Sequence, residues 1–289
     1  MKRTISVPIV KDMIWMDRDV VYTQLPGWCG LVTQSLKMTV MYHTPCSVPG
    51  IFEKRSVQKK LPCIVFICGG GWLNMSIDAY LPGFEYLARL GYVIASVQYR
   101  SSNQVVFPAQ AEEIKTAIRY LRAHADKYSI DADNIGIMGD SAGGHLASFV
   151  GLNNGNKDLD KGDNLEYSSD VKAVCPWYGP AEFIDNKEVR DNPVVRLLWG
   201  GADEKPELYK FASPVTHVSK DAPPFLLLHG SNDPAVPVEQ SEILHDKLIE
   251  AGAQADVYII KDASHADLHF FQPMVLDLID SFFAKHLKH

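Results

Sequence analysis

From residue 61 onward, short apolar runs alternate along the chain with stretches of helical periodicity. The runs are five to seven residues long and are bounded by Gly, Pro, Asp or Asn; they cover 63–67, 92–98, 134–138, 171–176, 225–229 and 256–260. Strands of a parallel sheet form such continuous apolar runs because helices cover both of their faces. The pattern therefore predicts a βαβ series with a mostly parallel sheet, an α/β fold.

The stretches between these runs predict amphipathic helices. Residues 109–128 place four apolar side chains at helical spacing on one side, namely Ile114, Ala117, Ile118 and Leu121. Residues 239–251, which close at Gly252, and residues 270–287 follow the same pattern. Before residue 61, the alternation over 36–42 predicts an antiparallel strand at the entry to the sheet.

Two long stretches break this alternation. Residues 153–169 are polar and rich in Asn, Asp and Gly, whereas residues 180–218 carry large apolar side chains without a strand-like run. Long connections in a compact domain tend to be functional. We therefore expect a single domain over 1–289, in which 153–169 is an exposed loop and 180–218 is a small cap over the site.

Composition limits the classes of partner. The chain has 289 residues, of which 46% are hydrophobic and 22% charged, and its formal net charge is -7. This balance is typical of a globular protein and offers no basic patch for nucleic acid or anionic lipid. No apolar run is long enough to span a membrane, and the N-terminus lacks the apolar core of a signal peptide. We expect a cytoplasmic protein, unless a leader has been removed, that acts on a neutral small molecule; the sequence leaves a homo-oligomer open.

The cysteines do not form a recognisable disulfide framework. Their number is odd and their spacing is irregular. Most are expected to be small buried side chains. The five are Cys29, Cys46, Cys63, Cys68 and Cys175.

The strongest motif is the segment Gly139-Asp140-Ser141-Ala142-Gly143-Gly144, which follows one predicted strand and precedes an apolar helical run. A serine on a sharp turn between strand and helix needs glycine two residues before and after it, because a Cβ there would collide with neighbouring backbone. The helix N-terminus that follows helps to stabilise negative charge. The motif therefore predicts that Ser141 is an exposed nucleophile.

A serine hydroxyl needs a base to take its proton and an acid to orient that base. His265 lies just after the last predicted strand, where its loop would meet Ser141 at the carboxyl edge of the sheet. Asp233 lies in the turn after the strand 225–229, and the order Ser, Asp, His is the one known for this kind of turn. Asp262 is the alternative acid. Other histidines, including His145 and His229, are expected to satisfy local hydrogen bonds or to lie at the surface.

Acyl transfer also needs hydrogen-bond donors for the developing oxyanion. The segment Cys68-Gly69-Gly70-Gly71-Trp72 follows the predicted strand 63–67, and its glycines allow backbone N–H groups to point into a site. We expect the amides of Gly70, Gly71 and Ala142 to form the oxyanion hole. A phosphate-binding loop is the alternative, but the Lys-Ser/Thr pair of a P-loop is missing.

Taken together, these motifs resemble the α/β-hydrolase esterase and lipase group related to hormone-sensitive lipase, and within it the smaller acetyl and feruloyl esterase-like members. The resemblance extends from about residue 61 to the C-terminus and also includes Tyr99-Arg100 and Phe107-Pro108-Ala109-Gln110. It implies an α/β-hydrolase fold and hydrolysis of carboxylic esters without cofactor or metal. The group usually has His before the three glycines, where this chain has Cys68, so the support of the oxyanion loop is in question. A nucleophilic role for Cys68 is disfavoured, because it ends a strand without an evident activating partner.

The sequence therefore predicts a serine carboxylesterase for short acyl groups, including acetyl or feruloyl esters of plant polysaccharide. The side chains of Trp72, Trp177 and Tyr178 could stack on a sugar or aromatic ring near the site, and they could equally belong to the core. An arylformamidase or other amidase on the same fold is one alternative. A catalytically inactive binding protein is another, which would be expected to lack part of the machinery that this sequence contains.

Overall fold

The computed structural model describes residues 1–8, 13–27, 30–44, 59–73, 76–185 and 194–288. The strands in these ranges are β1 (Met13–Pro26), β2 (Thr33–Thr44), β3 (Leu61–Ile67), β4 (Val93–Val97), β5 (Ile130–Asp140), β6 (Val174–Trp177), β7 (Phe225–Gly230) and β8 (Ala255–Ile260). They form one sheet in the order β1-β2-β4-β3-β5-β6-β7-β8. The pairings β1–β2 and β2–β4 are antiparallel, and those among β3 to β8 are parallel, so the predicted mostly parallel sheet is confirmed.

The helices of the described ranges occupy the connections between strands. They are α1 (Leu81–Arg89), α2 (Ala109–Ala123), α3 (Ala125–Tyr128), α4 (Ala142–Leu152), α5 (Val194–Leu198), α6 (Pro206–Ala212), α7 (Glu239–Glu250) and α8 (Pro273–Leu287). In the part of the chain that the structure describes, none of them has the length and apolar character needed to cross a membrane.

The sheet is buried on both faces, as strand β3 illustrates. Cys63, Val65 and Ile67 belong to an apolar cluster that includes residues of α2 and α4. The intervening Ile64 and Phe66 belong to a second cluster with residues of α1 and α8. Successive strand residues point to opposite faces, so helices on both sides explain why the strand is apolar without interruption.

The predicted elements differ from the observed ones mainly at their ends. The helix expected over 109–128 is divided at His124 into α2 and α3. The helix expected over 270–287 begins only at Pro273, after a short 3₁₀ turn, because proline has no N–H to donate and fits the first turn of a helix. Strand β1 and helix α1 have no counterpart in the prediction.

The expectation that 153–169 is simply an exposed loop is wrong for Asp160. Its carboxylate, which is largely buried, lies 3.0 Å from Arg119 Nη1 and 3.5 Å from Lys115 Nζ on α2. The Ser169 hydroxyl donates to the same carboxylate. The side chains of Lys115 and Arg119 are buried against this segment, and their pairing with Asp160 offsets part of the cost of desolvation.

Strand register places three strand ends side by side. Ile67 pairs with Gly139, and Asp140 pairs with Trp177. The segments that follow β3, β5 and β6 therefore leave the sheet next to one another at its carboxyl edge, with β7 alongside β6. This edge is where α/β sheets commonly bind ligands.

Candidate active site

The turn at Ser141 is held in a strained conformation by its glycines. Ser141 lies between β5 and α4 with φ of 51° and ψ of -120°, a region that side-chain-bearing residues rarely occupy. A Cβ at Gly139 would lie 2.4 Å from the carbonyl oxygen of Gly143, and a Cβ at Gly143 would lie 1.9 Å from that of Ile67. Both distances are far below van der Waals contact, which confirms the expected need for glycine on each side of the serine.

The structure brings Ser141, His265 and Asp233 together from three separate segments. His265 Nε2 lies 2.9 Å from Ser141 Oγ, and His265 Nδ1 lies 2.6 Å from Asp233 Oδ2. A neutral imidazole in this arrangement donates Nδ1–H to the carboxylate and accepts the serine proton at Nε2. Asp262, the alternative acid, instead uses its backbone N–H to donate to the Ser231 hydroxyl.

The Asp233 side chain is fully buried and held by several donors. Its Oδ1 accepts from the backbone N–H groups of Ala235 and Val236, at 2.8 and 2.9 Å. Burial by itself would raise the pKa of this carboxyl, but hydrogen bonds from His229, His265 and the Val236 amide lower the pKa well below its ordinary value. Asp233 therefore stays ionised beside an imidazole that gains a proton.

The oxyanion-loop glycines line a cavity at the serine. Gly70 and Gly71 have φ of 125° and 60°, conformations that favour glycine. Both border a cavity of about 450 Å³, together with Tyr80, Asp140, Ser141 and His265. Ala142 is the first residue of α4, so its N–H has no partner within the helix. The two loop glycines therefore border the same cavity as Ser141, and Ala142 follows the serine directly in the chain.

The BD-FAE family profile matches residues 50–248, which is more than half of the chain. The chain belongs to the BD-FAE family. The matched range includes Ser141 and Asp233 and ends before His265.

Curated proteins similar to this BD-FAE member include two from Mycobacterium tuberculosis (strain ATCC 25618 / H37Rv). The probable carboxylic ester hydrolase LipM is 35% identical over 232 residues, covering 78% of this chain and 52% of LipM. Esterase LipC is 32% identical over 215 residues, covering 71% of this chain and 52% of LipC. The chain therefore spans about half the length of these curated relatives.

Solved structures give the same fold. A truncated form of a carbohydrate esterase from gut microbiota has a TM-score of 0.78 and 27% identity, covering 94% of this chain and 95% of that chain. A bifunctional GH43-CE protein of Bacteroides eggerthii also has a TM-score of 0.78 and is 28% identical, and the match covers 93% of this chain and 38% of that chain. The predicted α/β-hydrolase fold and membership of the esterase group are confirmed.

Cys68 departs from the esterase pattern, and its surroundings make it unreactive. The side chain is buried, and burial, together with the negative charge of Asp140, raises the pKa of the thiol to about 12. Cys63 and Cys175 are likewise free and buried, whereas Cys29 and Cys46 lie outside the described residues. The thiol is therefore almost fully protonated at neutral pH and a poor nucleophile.

The three aromatic residues that the sequence assigned either to the substrate or to the core are all buried. Trp177 has an exposed fraction of 0% because Phe270 stacks on its ring and Phe84 contacts its edge. Trp72 is 4% exposed, and its indole N–H donates to His145 Nδ1. Tyr178 is also fully buried, with its ring centroid 4.6 Å from that of His265.

Sequence reasoning missed several residues that surround the site. Tyr80 borders the cavity at the start of α1, a helix that the sequence pattern did not predict. Asp140 occupies the variable position of the Gly-x-Ser-x-Gly motif. Its contact with Gly69, 71 positions away, can be seen only in the folded structure. His229 makes the local hydrogen bonds expected of it, but its approach to the Asp233 carboxylate, four residues further along the chain, was not predicted.

Proposed function

We propose that this BD-FAE family member is a serine carboxylesterase that hydrolyses short-chain acyl esters through an acyl-enzyme on Ser141. The observation that carries the proposal is the position of one imidazole, that of His265, between Ser141 Oγ at 2.9 Å and Asp233 Oδ2 at 2.6 Å. The carboxylic ester hydrolase and esterase names of the mycobacterial relatives support the choice of bond.

In the first half of the reaction, Ser141 Oγ attacks the ester carbonyl carbon while His265 Nε2 takes the hydroxyl proton. Asp233 stabilises the imidazolium that forms. The amides of Gly70, Gly71 and Ala142 donate to the oxyanion, a contribution of several kcal/mol in such sites. The imidazolium then protonates the departing alkoxide, so that an alcohol leaves and the acyl group stays on Oγ.

The second half of the reaction repeats these roles with water. His265 Nε2 takes a proton from a water molecule as its oxygen attacks the acyl carbon, and the same amides hold the second oxyanion. The bond from the carbonyl carbon to Ser141 Oγ breaks, and Oγ regains its proton from the imidazolium. The product is a free carboxylic acid, and the enzyme returns to its starting state.

The walls of the cavity favour a neutral ester. Among its described lining residues there is no Lys or Arg, and the Asp140 carboxylate lies in the wall. An anionic substrate would be placed near the Asp140 carboxylate without a Lys or Arg among the described lining residues to compensate its charge. Acetyl or feruloyl esters of plant polysaccharide are neutral at the reacting group. The carbohydrate esterase name of the gut-microbiota structure supports them as the substrate class.

We further propose that residues 180–218 are an insertion within a single domain. Helices α5 and α6 contribute Leu197, Leu198, Tyr209 and Ala212 to the apolar cluster shared with β3. The Ala212 carbonyl oxygen also accepts from His145 on α4, at 2.8 Å. In the described part of this segment, no residue borders the cavity, and residues 186–193 lie outside the described ranges.

Hydrolysis of nitrophenyl esters from acetate to octanoate, by the wild type and by Ser141→Ala, tests the proposal. Acetylated xylan, methyl ferulate and N-formylkynurenine are assayed alongside. We expect turnover that is highest for short acyl chains and that falls by on the order of 10⁵-fold in the variant. Ser281→Ala, on the surface of α8, should behave like the wild type.

Each other outcome contradicts a stated part of the proposal. Turnover that persists in Ser141→Ala would show that the nucleophile is wrong. Faster turnover of N-formylkynurenine than of every ester would identify an amidase. An absence of hydrolysis of all these substrates by the wild type would overturn the esterase itself.

A further inference from the structure

The oxyanion loop cannot be held in place by its own side chains, because Gly69, Gly70 and Gly71 have none. Glycine also has the largest conformational entropy to lose on folding. An oxyanion hole requires donors fixed to within a few tenths of an ångström of the reacting oxygen. The loop therefore depends on contacts from outside it, and those that reach the nucleophile matter most.

One such contact joins the loop directly to the residue before the nucleophile. The backbone N–H of Gly69 donates to Asp140 Oδ1 at 2.7 Å, and this hydrogen bond is buried. A Cβ at Gly69 would lie 2.7 Å from Asp140 Oδ2 and 2.7 Å from the Asp140 carbonyl oxygen, so the two backbones are already in contact. Because Asp140 is bonded to Ser141, this contact sets the distance between the loop and the nucleophile.

The other contacts hold the ends of the loop. The Tyr99 hydroxyl donates to the Cys68 carbonyl oxygen at 3.0 Å, and the Ser102 N–H donates to that of Trp72 at 2.8 Å. These two bonds tie the loop to the segment after β4. The Trp72 indole N–H reaches α4 at His145, one turn beyond the serine. Of these four hydrogen bonds, the one from Gly69 to Asp140 is the one made by a residue adjacent to Gly70.

Among the residues that the structure describes, no Lys or Arg borders the cavity beside the Asp140 carboxylate. The groups that face it are Cys68, Tyr80, Tyr99, Tyr178 and His265. Burial raises the pKa of Asp140 to about 6, while the Gly69 N–H acts in the opposite direction. Burying a carboxyl group in this way costs free energy unless it is hydrogen-bonded. The bond to Gly69 is therefore the main compensation for placing a carboxyl group here.

We propose that Asp140 is a positioning residue, whose side chain holds the amides of Gly70 and Gly71 at the distance from Ser141 that the oxyanion requires. The inference rests on the proposed esterase function. It accounts for the support of the loop in a chain that has Cys68 before its three glycines. Asp140 does not exchange a proton with the substrate; it acts through the Gly69 amide.

The experiment compares the wild type with Asp140→Ala, Asp140→Asn and Asp246→Asn, the last an exposed carboxylate on α7. Nitrophenyl acetate gives kcat and KM, and a trifluoromethyl ketone, which forms a tetrahedral oxyanion adduct on serine, gives an inhibition constant. We expect Asp140→Ala to lower kcat about 100-fold, with KM changed less than about threefold and ketone binding weakened by a similar factor to kcat. Asp140→Asn keeps an acceptor oxygen and should recover kcat to within about tenfold of the wild type.

Two results would overturn the proposal: an Asp140→Ala enzyme that keeps kcat within about threefold of the wild type, or one whose kcat falls while ketone affinity is unchanged.

Hydrogen exchange at the Gly69 amide, read by mass spectrometry on the wild type and both Asp140 variants, tests the hydrogen bond from Gly69 to Asp140 independently of activity. Faster exchange in Asp140→Ala than in Asp140→Asn supports it, and equal exchange in all three overturns it. If the wild type hydrolyses no ester, the esterase proposal is wrong. The exchange result would still show whether Asp140 holds the Gly69 amide. If Asp140→Ala does not fold, Gly69→Ala breaks the same contact, and undiminished kcat there overturns the proposal.

Discussion

His229 Nε2 lies 3.4 Å from Asp233 Oδ2, the same carboxylate oxygen that accepts from His265 at 2.6 Å. Both the His229 and Asp233 side chains are fully buried. His229 Nε2 also lies 3.0 Å from the Val236 carbonyl oxygen, and its Nδ1 lies 2.7 Å from Ser241 Oγ. Because a carbonyl oxygen can only accept, His229 Nε2 carries a proton and donates to Val236. Asp233 is therefore flanked by two imidazoles.

Replacement of His229 should affect both stability and catalysis. In His229→Gln, the buried Ser241 hydroxyl and Val236 carbonyl lose their partner, so the free energy of unfolding should fall by about 2 kcal/mol. The pKa of Asp233 should rise toward its ordinary value, and kcat should fall about tenfold. Urea unfolding and nitrophenyl acetate kinetics measure the two effects. Ser241→Ala, which removes only the contact at Nδ1, should have a smaller effect on kcat. An unchanged kcat in His229→Gln would show that this imidazole has no influence on Asp233.

The two candidate acids can be separated by paired variants. Asp233→Asn cannot hold His265 in the required tautomer, so kcat should fall on the order of 10⁴-fold. Asp262→Asn should stay within about twofold of the wild type, because Asp262 contributes its backbone N–H to Ser231 rather than a carboxylate to His265. Initial rates with nitrophenyl acetate at saturating substrate measure both. If the loss is greater in Asp262→Asn, the assignment of the acid is reversed.

The buried carboxyl of Asp140 should make stability depend on pH. Its pKa is raised from 3.8 to about 6, so its protonated form is favoured in the folded state. The stability contributed by that form is fully present below about pH 4 and is lost as the pH rises through about 6. A shift of two pKa units corresponds to about 3 kcal/mol. Between pH 4 and pH 7 the free energy of unfolding of Asp140→Asn should therefore rise by up to that amount relative to that of the wild type.

Urea unfolding of both proteins at four pH values across this range measures the gain. Asp246→Asn, an exposed carboxylate, should show a constant difference from the wild type. If Asp140→Asn also shows a constant difference from the wild type, the carboxyl group of Asp140 does not cause the pH dependence of the free energy of unfolding.

Thiol reagents should leave the proposed esterase active if Cys68 takes no part in the chemistry. Its thiol is buried and its pKa is about 12, so the thiolate needed for alkylation is scarce at pH 7.5. We expect iodoacetamide to leave more than about 90% of the nitrophenyl acetate activity. Inactivation that Cys68→Ala prevents would show that this cysteine is accessible and close to the chemistry.

The sequence predicted the buried strands well because parallel strands covered on both faces carry a strong local signal. The runs at 63–67 and 225–229 fall within β3 and β7. Strand β1 was missed because only part of it is buried, and its exposed residues break the apolar pattern. The break of the last helix at Pro273 depends on proline geometry, which apolar periodicity does not report.

By itself, the sequence determined the parallel sheet and the turn at Ser141, because strand burial and glycine sterics are local properties that a short stretch of residues carries. It also indicated Asp233 and His265 through their places after two strands. Only the tertiary structure decided what these residues contact. The bond from Gly69 to Asp140 joins residues 71 positions apart, and the burial of Trp177 depends on Phe84 and Phe270. Such contacts depend on how the strands are ordered in the sheet, and no local pattern encodes that order.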